Sequence, residues 1–263
     1  MPETPPPLLR FPCRLGPDNR GIPSGAAYPR LARAGWDNQR GTAFTVVSSK
    51  SGRVLDAMNG LVKRCVYRAL VDPSVLDIRD NYPAFDVDRI KAHYATEKGR
   101  IPTRLVPTLS LVLTQADPAA PQGVVYRALR VVPFESLTTS TTQQTIDTDQ
   151  RFCDEQGWRW SLVTEREVPV GVARTARAIS VIGDKLNLDG LRSQAEQVAP
   201  MVQRRADGRS LKSLSASIAK TLGTSPQDVI NLIAAMAMHG FIKLDLGSTF
   251  DRRSPLVLVE TTS

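Results

Sequence analysis

Short apolar runs along the chain predict a set of β-strands. Residues 104–115 and 123–133 are rich in Val, Leu and Thr, and the segment between them contains two prolines. Two such runs separated by a turn-forming segment predict a pair of central strands joined as a hairpin. The run Val75–Pro83 alternates apolar and polar residues, which predicts a half-buried strand. Shorter strands are predicted at residues 43–49 and 158–164.

Apolar residues at spacings of three and four predict helices between these strands. Residues 54–71 form such a pattern, and Asp72-Pro73 would end the helix. Further helices are predicted at residues 88–98, 145–156 and 174–181, the second of them ended by Gly157. The order from residue 54 to 164 is helix, strand, strand, strand, helix, strand. This order predicts an α/β fold in which helices flank a mixed sheet.

The C-terminal residues predict a different kind of unit. Helices are expected near residues 191–204 and 210–222, and a third begins at Ser225, with Pro226 at its first position and Asp228 three residues after the cap. Two strands, 241–246 and 256–260, follow. Three helices and a two-stranded ribbon predict a winged helix-turn-helix. The expected domains are a basic Pro/Gly/Arg-rich arm or draped loop (1–45), the α/β domain (46–185) and the winged helix (186–263).

The net charge of +8 is concentrated at the two ends of the chain. Residues 1–53 carry a net charge of +5 and residues 200–263 a net charge of +3, so the middle is balanced. A basic excess of this kind favours a polyanion such as DNA as the partner, with solvated basic loops as the alternative.

Composition excludes several other classes of protein. No apolar run has the length of a membrane span, and the N-terminus lacks the basic start and apolar core of a signal peptide. We therefore expect a cytoplasmic protein without a membrane partner. Three cysteines and two histidines, all widely spaced, argue against a zinc cluster and a disulfide framework.

Four segments together resemble TnsA, the endonuclease subunit of heteromeric transposases. They are Ser-Lys-Ser-Gly-Arg-Val-Leu-Asp-Ala-Met-Asn (49–59), Val-Asp-Pro-Ser-Val-Leu-Asp-Ile-Arg-Asp-Asn-Tyr-Pro (71–83), Pro-Thr-Leu-Ser-Leu-Val-Leu-Thr (107–114) and Trp-Arg-Trp-Ser-Leu-Val-Thr-Glu (158–165). The resemblance extends over residues 20–260. It implies a restriction-endonuclease-like, PD-(D/E)xK fold that cuts transposon ends with Mg²⁺. It also implies two protein partners, a TnsB-like DDE transposase and a TnsC-like AAA+ ATPase that docks on the C-terminal part.

The residues at the family's catalytic positions do not fit this chemistry. The helix glutamate falls on Val62, the first-strand aspartate on Leu109, and the Gln/Glu-x-Lys motif on Arg130 to Val132. No register supplies a carboxylate or lysine in either central strand. Because Mg²⁺ needs oxygen ligands, largely anionic ones, we expect no metal cofactor and no cleavage. A nuclease site relocated to other carboxylates is the enzymatic alternative, and the candidates are Asp86, Asp88, Asp117 and Glu135.

The expected role is that of a non-catalytic, DNA-binding scaffold in a transposition complex. A stand-alone DNA-binding regulator is a further alternative. The predicted DNA-binding residues are Arg30, Arg33, Arg40, Arg130, Arg204, Arg205, Arg209, Lys212, Arg252 and Arg253. Arg130 acts either as a phosphate clamp or in an ion pair. The third C-terminal helix contains no Lys or Arg, so phosphate contact or protein docking is expected rather than base reading.

Overall fold

The computed structural model of this protein describes residues 13–29, 42–84 and 107–259. They form two compact units. The first contains the described residues of Met1–Val66 and Val75–Glu167, and the second contains Tyr67–Ser74 and the described residues from Val168 onward. The division after Glu167 comes earlier in the chain than the expected division after residue 185. The reason is that the helix beginning at Val170 packs against the last helix of the chain.

Residues 13–29 form a loop that packs on the first unit. Ile22 and Tyr28 are buried in its core. The Asp18 carboxylate accepts hydrogen bonds from the Ile22 N–H and from the Tyr82 hydroxyl. This part of the predicted arm is therefore a draped loop and not an extended arm. Residues 1–12 and 30–41, the remainder of the arm up to the first strand, lie outside the described residues.

A β-hairpin and a helix follow this loop. Strands β1 (Phe44–Ser48) and β2 (Arg53–Ala57) pair in antiparallel fashion, and helix α1 spans Gly60–Val71. The prediction of a helix from residue 54 was wrong at its start, because residues 54–57 belong to β2. The Asn59 side chain begins α1 instead, since its Oδ1 accepts hydrogen bonds from the N–H groups of Leu61 and Val62.

The core of the first unit is a four-stranded mixed sheet in the order β3-β4-β5-β6. The strands are β3 (Val75–Pro83), β4 (Thr108–Ala116), β5 (Val124–Val131) and β6 (Arg159–Val163). β3 to β5 are antiparallel neighbours, and β6 runs parallel to β5. The predicted central hairpin and the strand near residue 160 are confirmed. The prediction that β3 is half-buried is wrong, because all nine of its residues are buried.

Helix α2 (Ser140–Gln156) makes the crossover that the parallel pair β5 and β6 requires. A 3₁₀ turn, Phe134–Thr138, precedes it, and the Thr139 side chain caps its N-terminus. The helix therefore begins five residues earlier than the predicted start at residue 145. Gly157 ends the helix as predicted, with a φ of 67° that favours glycine. The helix predicted at residues 88–98 lies outside the described residues.

The second unit is built around the last helix of the chain. Its helices are α3 (Val170–Gly183), α4 (Leu188–Arg205), α5 (Leu211–Leu222) and α6 (Pro226–His239). α6 packs against the other three, and its residues from Val229 to Met238 are buried except Asn231. The predicted start of α6 is confirmed, because Ser225 and Asp228 form a reciprocal capping box.

The two segments after α6 pair with each other without forming regular strands. An isolated bridge joins Leu244 to Leu258, and the Asp245 N–H donates to the Val257 carbonyl. A second bridge joins Ser210 to Pro255. In the last segment, the Leu256 N–H donates to the Arg209 carbonyl and the Val259 N–H donates to the Lys243 carbonyl. Because its backbone hydrogen bonds go to two different segments, the predicted ribbon is reduced to short contacts. Within the described ranges, no helix is both long and apolar enough to cross a membrane.

Candidate nucleic-acid interface

Three of the four residues at the positions that the TnsA resemblance assigns to a nuclease motif are apolar. Val62 is buried on α1 and Leu109 is buried on β4. Val132 follows β5, and its N–H donates to the Val163 carbonyl. None of these side chains has an oxygen atom that could bind a metal ion.

The fourth residue, Arg130, forms a two-pronged ion pair with Asp149 of α2. Its Nε lies 2.5 Å from Asp149 Oδ2, and its Nη2 lies 2.8 Å from Oδ1 and 2.9 Å from the Thr108 carbonyl. The Asp149 side chain is only 3% exposed. Burial, together with the Asp149 carboxylate, raises the pKa of the neighbouring Cys153 thiol to about 12. The ion-pair interpretation of Arg130 therefore fits this arrangement better than a free phosphate clamp.

The carboxylates considered for a relocated nuclease site are not gathered together where the structure describes them. Asp117 pairs with Arg159 at 2.9 Å, and Glu135 lies exposed on the 3₁₀ turn. Asp86 and Asp88 lie outside the described residues. Within 13–29, 42–84 and 107–259, no three His, Cys, Asp or Glu side chains are placed to hold a metal ion.

A buried ion network that the sequence did not suggest explains the burial of β3. It consists of Arg53 on β2 and Asp77, Arg79 and Asp80 on β3. Arg79 has no solvent exposure, and its guanidinium donates to the Thr114 hydroxyl and the Pro23 carbonyl. The alternation of charged and apolar residues in β3 is the available signal, and it predicts a half-buried strand.

The other half of the network joins the hairpin to the sheet. Arg53 forms an ion pair with Asp80 and also lies over the Tyr28 ring, 4.6 Å from its centroid. The Asp80 carboxylate accepts the Asp56 N–H as well. Burial raises the pKa of Asp80, and the Arg53 guanidinium opposes that rise. The network therefore fastens the N-terminal loop and the hairpin to β3.

In the second unit, the predicted basic residues come together on the surface. We call the following six residues the basic patch: Arg204, Arg205, Arg209, Lys212, Arg252 and Arg253. Backbone pairing brings the two halves together, because the Lys212 N–H donates to the Arg252 carbonyl and the Leu256 N–H donates to the Arg209 carbonyl. The patch is therefore a product of the bridge between the start of α5 and the last segment of the chain.

Side-chain contacts extend the basic patch over three helices. Arg205, at the end of α4, donates to the Thr221 hydroxyl on α5, and Arg252 donates to the Gln227 amide oxygen on α6. Five of the six side chains are exposed, and Arg205 is half-buried. No member of the patch forms an ion pair with any residue in the described part of the chain. Their charges are thus available to an external anion.

Nearby carboxylates offset only part of this charge. Hydrogen bonds from the Ser225 hydroxyl lower the pKa of Asp228, and those from the Ser254 hydroxyl lower the pKa of Asp251. Both carboxylates are therefore charged at neutral pH. Together with Asp207 they provide three negative charges in the same stretches of chain as the six cations. A positive excess remains, as contact with a phosphate backbone requires.

Helix α6 is poorly suited to reading bases. Only its first turn, around Gln227 and Asp228, is exposed, because the rest of the helix forms the core of the unit. A recognition helix must present several polar side chains along one face to the major groove. The arginines predicted in the arm, Arg30, Arg33 and Arg40, lie outside the described residues.

The second unit also contains a cavity of about 450 Å³. Its apolar lining includes Val71, Ile179, Ile242, Leu244 and Leu246. The polar lining residues are Arg68, Asp72 and Lys243. A mostly apolar cavity of this size, with a few charged groups, can accept a small molecule or an apolar side chain.

Two features of the molecule therefore bear most directly on function. The positions to which the TnsA resemblance assigns the nuclease motif lack metal ligands, and the second unit presents an exposed basic patch. Neither a comparison with protein-family models nor a search of curated proteins finds a match for this chain.

Proposed function

We propose that this protein is a catalytically inactive, TnsA-like subunit that binds DNA and acts as a scaffold in a DNA transposition complex. The order α1, β3, β4, β5, α2, β6 supports a restriction-endonuclease-like core. The helices α4 to α6, followed by two paired segments, support a winged helix-turn-helix.

The observation that carries the proposal is the chemistry of β4 and β5. Strand-held carboxylates are needed there to bind metal ions that polarise a phosphate. At these positions Leu109 is buried in an apolar cluster, and the Arg130 charge is satisfied by Asp149. A cation in place of an acidic ligand would also repel Mg²⁺. The surfaces of the protein, and not a catalytic centre, then carry its function.

DNA binding is assigned to the basic patch. Exposed cations without internal ion pairs can replace the counterions of the phosphate backbone, which makes affinity fall steeply with salt concentration. Because α6 carries no Lys or Arg and is mostly buried, we expect contacts to phosphates and little base readout.

The partners proposed for this subunit are a TnsB-like DDE transposase and a TnsC-like AAA+ ATPase. The cavity in the second unit supports a docking role, since it is apolar and concave. Replacing Ile242 or Leu244 by Glu in the full-length chain should weaken capture of the partner. A partner bound equally well by both variants would place the docking surface elsewhere.

The central experiment combines a nicking assay with a binding titration on full-length protein. We expect no nicking of supercoiled or transposon-end DNA with Mg²⁺ or Mn²⁺, and similar affinities for transposon-end and unrelated duplexes. The variant Arg204→Ala/Arg209→Ala should weaken binding to both duplexes equally. The control variant Arg127→Ala/Arg151→Ala removes two exposed arginines from the first unit and should bind like the unchanged protein.

Different results would favour the alternatives. Metal-dependent nicking that disappears in Asp117→Ala or Glu135→Ala would establish a relocated nuclease site. Tight binding to one sequence without protein partners would favour a stand-alone regulator. A control variant that binds as weakly as Arg204→Ala/Arg209→Ala would remove the assignment to the basic patch.

A further inference from the structure

Helix α3 presents a second set of cations on the surface of the second unit. Its outward-facing residues include Val170, Arg174, Arg177 and Val181, which are spaced by four, three and four positions and therefore share one face. The helix contains no Asp or Glu. The two arginines are central on this face, and an exposed valine lies toward each end.

The two arginines have no internal partner within the described residues. Neither forms an ion pair there, and no hydrogen bond from either guanidinium is present. Like charges three positions apart on a helix repel each other by a few tenths of a kcal/mol. The opposite face of α3, with Ala173, Ala176 and Ile179, is buried. The helix is thus held by its apolar face while its charged face points to solvent.

A hydrogen bond joins α3 to the segment that carries part of the basic patch. The hydroxyl of Thr175, which follows Arg174 in sequence and is itself buried, donates to the Ser248 carbonyl. Ser248 precedes Arg252 by four residues, and four residues span at most about 14 Å. About 14 Å of duplex axis carries roughly eight phosphate charges. A short duplex is therefore longer than the span of chain between Ser248 and Arg252.

We propose that DNA bound at the basic patch continues over α3, where Arg174 and Arg177 contact its phosphates. This inference rests on the proposed DNA-binding function and extends the interface to a helix outside the three that carry the patch. Phosphate contact is favoured over base contact. Both arginines lie on one face of the helix, and no other exposed polar residue lies between them that could bind a base edge.

The test compares two double variants of the full-length protein in binding to a 30-base-pair duplex of arbitrary sequence. For Arg174→Ala/Arg177→Ala, the slope of log K against log salt should become shallower by about 2, since each phosphate contact contributes about 0.9. The variant Arg174→Lys/Arg177→Lys keeps both charges and should keep the slope. Thermal unfolding of each variant should match that of the unchanged protein, because both side chains are exposed.

The outcomes separate this inference from the proposed function. If Arg204→Ala/Arg209→Ala lowers the salt slope and Arg174→Ala/Arg177→Ala leaves it unchanged, the α3 contact is overturned while DNA binding by the patch stands. If neither variant changes the slope, both assignments fail. A slope lowered by the Ala variant and retained by the Lys variant supports phosphate contact by α3.

Discussion

The two units of this protein contain arginines in opposite environments. In the first unit, Arg79 and Arg53 are buried and paired with carboxylates of β3. In the second unit, the core helix α6 is apolar, and the cations of the basic patch lie at the surface without ion pairs among the described residues. A count of arginines therefore cannot identify a DNA-binding region. An arginine is available to DNA only where no carboxylate of the chain already pairs with it.

This difference changes what each arginine contributes. Two desolvated partners hold each other in place, and removal of one leaves the other charge buried at a high cost. An exposed arginine contributes little to stability and retains its charge for a ligand. The buried ion network of the first unit is thus structural, whereas the basic patch is suited to binding.

The largest expected effect is that of removing the buried Arg79. Arg79→Ala should lower the free energy of unfolding of the first unit by about 3 kcal/mol, because the buried Asp77 would keep its hydrogen bond from the Gly25 N–H but lose its ion-pair partner. Urea unfolding followed by Trp fluorescence reports on this unit, where Trp158 and Trp160 lie. The control, Arg204→Ala in the basic patch, should change stability by less than about 0.5 kcal/mol. Equal effects of the two substitutions would contradict the contrast between the units.

The next effect concerns the Arg130 and Asp149 pair. A double-mutant cycle with Arg130→Ala and Asp149→Ala should give a coupling energy of about 2 kcal/mol, as expected for charged hydrogen bonds in a mostly buried site. DNA affinity should change little in either single variant, since the pair satisfies the Arg130 charge. A strong loss of DNA binding in Arg130→Ala alone would restore its role as a phosphate clamp.

A smaller effect is expected from the cap of α6. Ser225→Ala removes a side-chain acceptor for the Asp228 N–H and should lower stability by about 1 kcal/mol. The exposed Ser213, within the first turn of α5, offers a matched serine, and Ser213→Ala should be close to neutral. Far-UV circular dichroism during thermal unfolding measures both. A neutral Ser225→Ala would mean that packing of α6 alone fixes its start.

The smallest effects concern pH, and Asp228 and Asp80 should respond with opposite signs. The pKa of Asp228 is lowered in the folded chain, so its contribution to stability is present above the ordinary Asp value of about 3.9 and is lost as pH falls through the lowered value. The pKa of Asp80 is raised, so its contribution is present below the ordinary value and is lost as pH rises through the raised value. The variant Asp228→Asn should make stability depend less on pH below the ordinary Asp pKa. The variant Asp80→Asn should make stability depend less on pH above it. If both variants change the same window, the assignment of signs is wrong.

The sequence by itself determined the features that depend on neighbours a few residues away. The end of α2 at Gly157 and the capping box at Ser225 are interactions within one helical turn, and their residue types are readable in order. The hairpin of β4 and β5 is likewise local, since its two strands are adjacent in the chain. The lack of carboxylates at the positions of Leu109 and Arg130 was also readable, because it is a matter of composition.

Only the tertiary structure decided where distant charges meet. Residues 54–57 have an apolar spacing that suits a helix, yet they pair with β1 because the hairpin buries Leu55. Asp77, Arg79 and Asp80 resemble a solvent-facing pattern until the N-terminal loop and β2 cover them. The Arg130 side chain on β5 pairs with Asp149 on α2. The Lys212 N–H donates a hydrogen bond to the Arg252 carbonyl. Local propensity cannot specify these contacts, because each depends on segments far apart in the chain whose approach is set by burial of the whole core.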